Sequence, residues 1–570
     1  MRTVRYLITS ALPYINGVKH LGNLVGSQLP ADVYARYLRQ RGHEVLCICA
    51  TDEHGTPAEL AAAEAGLDVA EYCAQQHRIQ REVGERFGLS WDHFGRSSSP
   101  QNAELTRHFA ERLRDNGMLE ERVTEQIYSP DDGRFLPDRY IIGTCPYCGY
   151  PRARGDQCEN CTRLLEPTLL IEPRSAISGS TNLERRKTKH LFLRQSLMGD
   201  RIREWIDSHD EWPILVTSIA HNWLSVGLED RSITRDLKWG VPVGWPGFED
   251  KVFYVWFDAP IEYIGATKEW SDVDPSGRDW RSWWYEAGDV RYVQFMGKDN
   301  VPFHSINFPV TIMGSGEPWK LTDYIKGFSW LTYYGGKYST SQHRGVFMDD
   351  AVELLPADYW RYALLANAPE SDDSDFTWES FAFTVNKDLA GIFGNFVTRT
   401  LKLSQKRFGA AIPSGGTPAD AEVELERNID GALSRFATEM EAMRFRPAAF
   451  ALRTLWTHGN QYLDRCAPWN EPDDTRAACV LRTAINLARV EAIVSASFVP
   501  FACERLAGDL GLAAEERQWP GPAAGELSRL QPGRGITVGD ALFPRIGDRS
   551  SLGAWVSEME ARFGGREDAA

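Results

Sequence analysis

What most limits the folds open to this chain stands near its N-terminus. The strand-like run Val4 to Thr9 gives way to a loop carrying Pro13, Gly17 and Gly22, and a long amphipathic segment follows at once. A buried strand, a tight loop and a helix start present unpaired N–H groups and the positive end of a helix dipole to an anion. His20 and Asn23 add neutral hydrogen-bonding groups there, and Gly22 lets a flat base or phosphate approach the backbone with no Cβ in the way. Taken alone, the same residues describe an ordinary strand-to-helix turn with a surface histidine. A second stretch, Gly335-Gly336-Lys337-Tyr338-Ser339-Thr340-Ser341, gathers glycine, lysine and hydroxyls without helical or strand periodicity, and is expected to be a mobile loop.

At 570 residues the chain exceeds what one core usually supports, so several domains are expected. A net charge of -16 would repel a polyanion as a whole, so contact with nucleic acid has to come from local basic patches. Asn395 to Arg407, with Arg399, Lys402, Lys406 and Arg407 and no acidic residue, is one candidate; a solvated helix face is the alternative. The N-terminus lacks a basic segment followed by an apolar one, and no apolar run is long enough to span a bilayer, so a cytoplasmic protein is expected.

Ten cysteines form two populations. Cys47, Cys49, Cys73, Cys466, Cys479 and Cys503 stand singly in apolar context and are expected as buried thiols. Cys145, Cys148, Cys158 and Cys161 form two CxxC knuckles nine residues apart, the spacing that brings four thiolates around one tetrahedral zinc ion. Two disulfides are the alternative, disfavoured without a secretion signal. Four thiolates leave no open coordination position, so the zinc would be structural.

The organisation reads as a nucleotide fold interrupted and later extended. Strand and helix alternate to about residue 116, with a strand at 44 to 50 and helices at 57 to 87 and 101 to 116. Turns and the cysteine knuckles then intrude, and strand-like Lys251 to Trp256 and Val290 to Met296 resume the pattern before a helix through His304 to Met313. Further on, Leu452, Leu455, Trp456, Gly459, Tyr462, Leu463 and Cys466 recur at threes and fours, as on one buried helix face. Residues 514 to 535 look like a linker, Val538 to Ile546 like a returning strand, and the tail after Gly547 is expected to be poorly ordered.

The two glycine-containing stretches resemble the HIGH and KMSKS signatures of class I aminoacyl-tRNA synthetases. Ala11-Leu12-Pro13-Tyr14, Thr51 to Pro57, Phe135 to Arg139, Tyr254 to Pro260 and Gly297-Lys298-Asp299-Asn300 narrow the resemblance to the methionyl-tRNA synthetase family, from about residue 4 to about residue 545. The resemblance implies an α/β Rossmann-type catalytic domain split by a zinc-binding insertion and followed by an all-α anticodon-binding domain. In this chain that gives catalytic halves at 1–116 and 231–325, an insertion at 117–230, a KMSKS-like loop and stem-contact region at 326–380, the helical domain at 381–513, and a linker, strand and tail at 514–570.

It also implies two steps, formation of methionyl-adenylate from methionine and ATP, then transfer to the tRNA terminal ribose. His20, Asn23 and Lys337 would stabilise charge on the leaving pyrophosphate, with Gly22, Asp299, Ser339 and Thr340 also contacting ATP and Mg2+ accompanying it. Asp52 would pair with the methionine ammonium group, and Leu12, Tyr14, Trp256, Ala259, Pro260, Tyr263, Asn300, His304 and Phe308 would form the pocket wall. Core aromatics at Trp256 and Phe308, and a helix cap with its neighbour at Asp52 and His54, are the alternatives. Asn395, Arg399 and Trp469 match anticodon readers, against a buried Trp469 that packs two helices. Expected partners are ATP, L-methionine and tRNA(Met), initiator and elongator, with no membrane and a monomeric state. One departure stands out: Thr340 occupies the place of a second signature lysine, and Arg344 is the expected substitute for its charge. A cysteinyl-type synthetase, a small-molecule nucleotidyltransferase and a catalytically silent tRNA-binding paralogue remain as rival readings.

Overall fold

The computed structural model describes residues 3–155, 158, 160–161, 163, 165–340, 344–547 and 551–564. Ser341, the last residue of the second signature, lies outside them.

Five parallel strands, β1 (Arg5–Ser10), β2 (Glu44–Thr51), β3 (His93–Arg96), β4 (Val290–Gly297) and β5 (Tyr324–Phe328), stand in the order β5-β4-β1-β2-β3. Leu7, Ile8, Val293 and Phe295 are fully buried, as strands covered on both faces require. The chain winds outward from β1 through β2 and β3, makes a long excursion, and returns on the other side of β1 with β4 and β5. Strand order therefore reverses between β1 and β4, and a crevice opens where their carboxyl ends diverge.

The excursion builds its own layer. Leu119–Ser129 pairs antiparallel with Glu184–Leu193 along its length. A small sheet of Ala153–Arg154, Ile141–Thr144 and Ile171–Ser175 carries the cysteine knuckles. Ile127, Leu136, Tyr140, Ile141, Cys145 and Cys158 form a second core apart from the main one.

The C-terminal half is helical, with Asn395–Phe408, Asp420–Glu441, Phe445–Cys466, Asp474–Ser495 and Pro500–Asp509. The face read from sequence is buried from Leu452 to Leu463, and Gly459 is needed there because a Cβ would stand 2.8 Å from the Phe396 ring. Arg361 joins this half to the sheet. Fully buried, it donates to the Phe87, Ser497 and Phe498 carbonyls and, at 2.7 Å, to Asp32 on the first long helix.

Glu491 is buried in the Asp474–Ser495 helix with both carboxylate oxygens unpartnered, and burial holds its carboxyl well above the usual range. A raised folded-state value means stability is lost as pH rises above the unfolded value of about 4.5. Glu491→Met is therefore expected to raise the melting temperature at pH 8 and to gain progressively less towards pH 4.5. A gain independent of pH would contradict this.

Five expectations need correction. The segment around Lys337 is a β-hairpin, with Leu331–Tyr333 paired to Gly336–Lys337 and, on its other edge, to Ser374–Phe376. Tyr334 and Gly335 at φ 48° and 72° give it a two-residue turn with both central residues left-handed. Lys251 to Trp256 contains only the short strand Val252–Phe253. The helix Val255–Val273 starts at once, with Trp256 in its first turn and Pro260 inside. No strand forms over Val538 to Ile546; Asn386 clamps Ile546 instead through both its N–H and its C=O. The described part of the tail holds the helix Leu552–Phe563, whose Trp555 and Phe563 pack on Trp378. Nor is 514 to 535 an open linker, since Arg489 pairs with Glu526 and Arg534 with Glu516.

Candidate active site

The cleft lies at the carboxyl ends of β1 and β4, encloses about 300 Å³, and draws on both glycine-containing stretches. The segment that follows the second stretch is tied to the first through the backbone. Leu21 N–H donates to the Val346 carbonyl at 3.0 Å and Met348 N–H to the Lys19 carbonyl at 2.8 Å. The His20 ring stacks on Tyr338 with centroids 4.9 Å apart.

His20 is the N-cap of the first helix. Its Nδ1 accepts from Asn23 N–H, and its own N–H donates to Asn23 Oδ1, both at 3.3 Å. With Nδ1 accepting, the ring proton is placed on Nε2. Burial, then Lys19 and Lys337, lower the imidazole pKa to about 3, so the ring stays neutral and Nε2–H is a donor at any ordinary pH. Gly22 has a different use from the one its sequence suggested: a Cβ there would stand 3.0 Å from His20 Nδ1, so the glycine makes room for the ring. From the facing wall, Lys337 is exposed, with Nζ 5.0 Å from the centre of the Trp330 ring, and Thr340 also lines the cleft. Ser339, one residue before it, pairs through its backbone with Arg344. Asp299 is exposed just beyond β4, at the cleft mouth.

Asp52 ends β2's run, and the loop after β1 holds it: Asp52 N–H donates to the Pro13 carbonyl and Ile15 N–H to the Asp52 carbonyl, both at 2.9 Å. It caps no helix. Burial, then the neighbouring Asp258 and Glu53, push its carboxyl well above the usual range, and Oδ1 has no partner. His54 instead bonds Asp258 at 2.5 Å. Deeper in, His304 Nδ1 donates to the Asn300 carbonyl, leaving Nε2 to accept from the Tyr263 hydroxyl, each at 2.8 Å. Burial lowers the His304 pKa to about 4 and raises that of Tyr263, so this floor is uncharged. Trp256 covers it, half-buried, with its Nε1 3.4 Å from the Tyr14 hydroxyl and its ring 4.7 Å from Phe303. Leu12, Ala259, Pro260 and Asn300 complete the lining. Phe308 stands behind Tyr263, their rings 6.4 Å apart, and does not line the cleft.

Arg344 does not carry the charge expected of it. Its guanidinium lies under Gly336 and donates to the Tyr333 carbonyl at 3.0 Å, bracing the hairpin. Lys19, Trp330, Tyr338 and Phe303 line the cleft without having been singled out. Lys19 and Tyr338 each adjoin a residue that was, whereas Trp330 carried no sequence signal.

The four knuckle sulfurs lie within 4.8 Å of one another, with Cys145–Cys161 at 3.8 Å and Cys148–Cys158 at 3.6 Å. These exceed a disulfide bond and match the edge of a tetrahedron built on metal–sulfur bonds of about 2.3 Å. The cluster can hold a metal ion. In the helical half, Asn395 bonds Asn460 at 3.0 Å, and Arg399 pairs with Asp464 at 2.7 Å while stacking 4.9 Å from the Trp469 ring centre. Trp469 is 44% exposed, so it is not a buried packing residue. Of the single cysteines, five are buried and Cys466 is half-buried. No helix among the described residues is long and apolar enough to cross a membrane.

A doubly wound sheet with a nucleotide-type cleft at its switch point, an inserted layer and a helical appendage is the build of a class I tRNA synthetase. The profile described as "tRNA synthetases class I (M)" matches residues 6–401, and "Anticodon binding domain of methionyl tRNA ligase" matches 412–568. The chain belongs to the methionyl family of class I tRNA synthetases. It is 59% identical to the methionine–tRNA ligase of Streptomyces avermitilis over 98% of its own length and 99% of that protein. It is 58% identical to that of Caulobacter vibrioides, over 99% and 100%. Its fold matches Mycobacterium tuberculosis methionyl-tRNA synthetase in complex with methionyl-adenylate with a TM-score of 0.77 at 24% identity, over 95% of this chain and all of that one.

Proposed function

We propose that the cleft performs both steps of the methionine–tRNA ligase reaction with the residues placed above. The observation that supports this best is that the two signature stretches meet across one cleft, which continues into the uncharged slot under Trp256. Methionine enters with its ammonium group on Asp52 and its thioether over Tyr263, His304 and Trp256. Sulfur–aromatic contact is worth about 0.3–1.5 kcal/mol, and a floor whose donors are already engaged suits so weak an acceptor. ATP lies across the carboxyl ends of β1 and β4, its ribose near Asp299. The carboxylate attacks the α-phosphorus, the bond to the bridging oxygen breaks, and its electron pair leaves with pyrophosphate. His20 Nε2–H and the Asn23 amide meet the growing charge from one side, and Lys337 with the Thr340 and Ser339 hydroxyls from the other. Mg2+ accompanies ATP and neutralises the polyphosphate.

Zinc suits Cys145, Cys148, Cys158 and Cys161, and four thiolates assign it the structural task of holding the small inserted core together. Asn395, Arg399 and the exposed Trp469 form a surface for single-stranded anticodon bases of initiator and elongator tRNA(Met), read by stacking and edge hydrogen bonds. Working as a cytoplasmic monomer fits this reading.

The test is pyrophosphate exchange with the twenty amino acids. Exchange dependent on methionine is expected, and exchange dependent on cysteine, or on no amino acid, would overturn the assignment. For the helical surface, Trp469→Ala is expected to raise KM for tRNA roughly tenfold to a hundredfold, the equivalent of one lost stacking contact. Exchanging the CAU anticodon should do at least as much, and unchanged charging of both would remove this surface from tRNA reading.

A further inference from the structure

The reaction as written leaves one cation of the cleft without a task. Lys19 precedes His20 and lines the cleft together with Asp52, His20 and Asn23. Its carbonyl is tied to Met348 N–H, so the segment following the hairpin fixes its backbone. Its side chain is 7% exposed, and Nζ donates to Asn16 Oδ1 at 2.9 Å, a neutral acceptor that uses one of three N–H bonds. Burial lowers its pKa to about 7, opposed by Asp52. A buried ammonium group is costly unless a negative charge meets it. Asp52 is the opposite charge acting on it in the free protein, and methionine's own ammonium group takes over that carboxylate when substrate binds. Meanwhile Thr340 leaves the hairpin one cation short, and Arg344, engaged with the Tyr333 carbonyl, is not among the residues lining the cleft.

We propose that Lys19 contacts the reacting groups in the activation step, its ammonium holding an oxyanion of the pair formed by the amino-acid carboxylate and the α-phosphoryl group it attacks. The first loop thereby supplies the charge that the hairpin lacks at Thr340. The inference rests on the reading of the cleft as a site of amino-acid activation. No proton moves in the step: the carboxylate oxygen bonds to phosphorus, the bridging oxygen leaves with the electron pair, and the oxyanion that meets Lys19 keeps its ammonium group protonated.

The experiment uses the full chain with Lys19→Met and Lys19→Arg. It measures exchange kinetics, single-turnover adenylate formation, and the affinities for methionine and for methioninol, which lacks the carboxylate, from tryptophan fluorescence. Lys19→Met should lower the rate of adenylate formation roughly 10²-fold, the usual loss for one stabilising group at a developing charge. Methioninol affinity should stay within twofold of the unaltered protein, and Lys19→Arg should recover part of the rate. If methionine affinity also falls tenfold, the carboxylate is the partner; if it holds while kcat falls, the α-phosphoryl group is. A Lys19→Met rate within threefold of the unaltered protein would overturn the proposal. So would methioninol affinity falling in step with the rate, since Lys19 would then only support the pocket's shape. Methionine-independent exchange by the unaltered protein would instead sink the underlying reading, and this inference with it.

Discussion

Asp52→Ala is expected to weaken methionine binding roughly 10²- to 10⁴-fold, the equivalent of the 3–5 kcal/mol lost when one partner of a buried charge pair is removed. The magnitude follows from burial. Asp52 is 5% exposed, and burial with Asp258 and Glu53 disfavours its charge; Lys19 opposes them in the free protein and an incoming ammonium group opposes them further. An incoming ammonium group gives up water on the understanding that this carboxylate replaces it; without the carboxylate it stays charged in a dry slot. Asp52→Asn keeps the shape and should lose most of the affinity too, because an amide cannot neutralise an ammonium ion. ATP affinity serves as the control and should hold. Fluorescence titration with methionine decides the matter, and a loss below tenfold in both variants would place the ammonium group elsewhere.

His20→Ala should lower kcat for pyrophosphate exchange roughly 10²- to 10³-fold, as removal of one preorganised donor to a developing oxyanion does. The alanine variant also loses the helix cap and the stack on Tyr338, and a lost cap alone costs about 1 kcal/mol. His20→Asn separates the two effects. Asparagine can still accept the Asn23 N–H, so stability should largely return, but it cannot place a donor where Nε2–H stands. A stable His20→Asn protein with a low kcat and a nearly unchanged KM for methionine is the expected result. A variant with full kcat would show that the ring only caps the helix.

The first loop was legible in the sequence because its glycines and proline and the position of His20 follow from backbone constraints. The knuckles were legible because CxxC spacing allows few geometries. The hairpin was missed because two-residue turns of its type usually announce themselves as Asn-Gly, whereas here Tyr334 takes a left-handed conformation that bulky residues rarely adopt. Val252 to Trp256 misled because a short run of β-branched and aromatic residues has the same composition in a strand and in a buried helix start. Trp330 and the role of Arg344 depend on which side chains the third dimension brings beside Lys337, and no local pattern encodes that.

Arg361 has a consequence for the whole molecule. Its guanidinium spends its donors on both halves at once, on Asp32 and Phe87 from the sheet side and on Ser497 and Phe498 from the helical side. The seat of the segment at Ser497 and Phe498 on the sheet is therefore set by packed side chains, as the opening of a caliper is set by its frame. On the proposed seating of tRNA at Trp469, the far end of the nucleic acid would reach the cleft across this fixed frame, so its length and bend would be part of what is recognised.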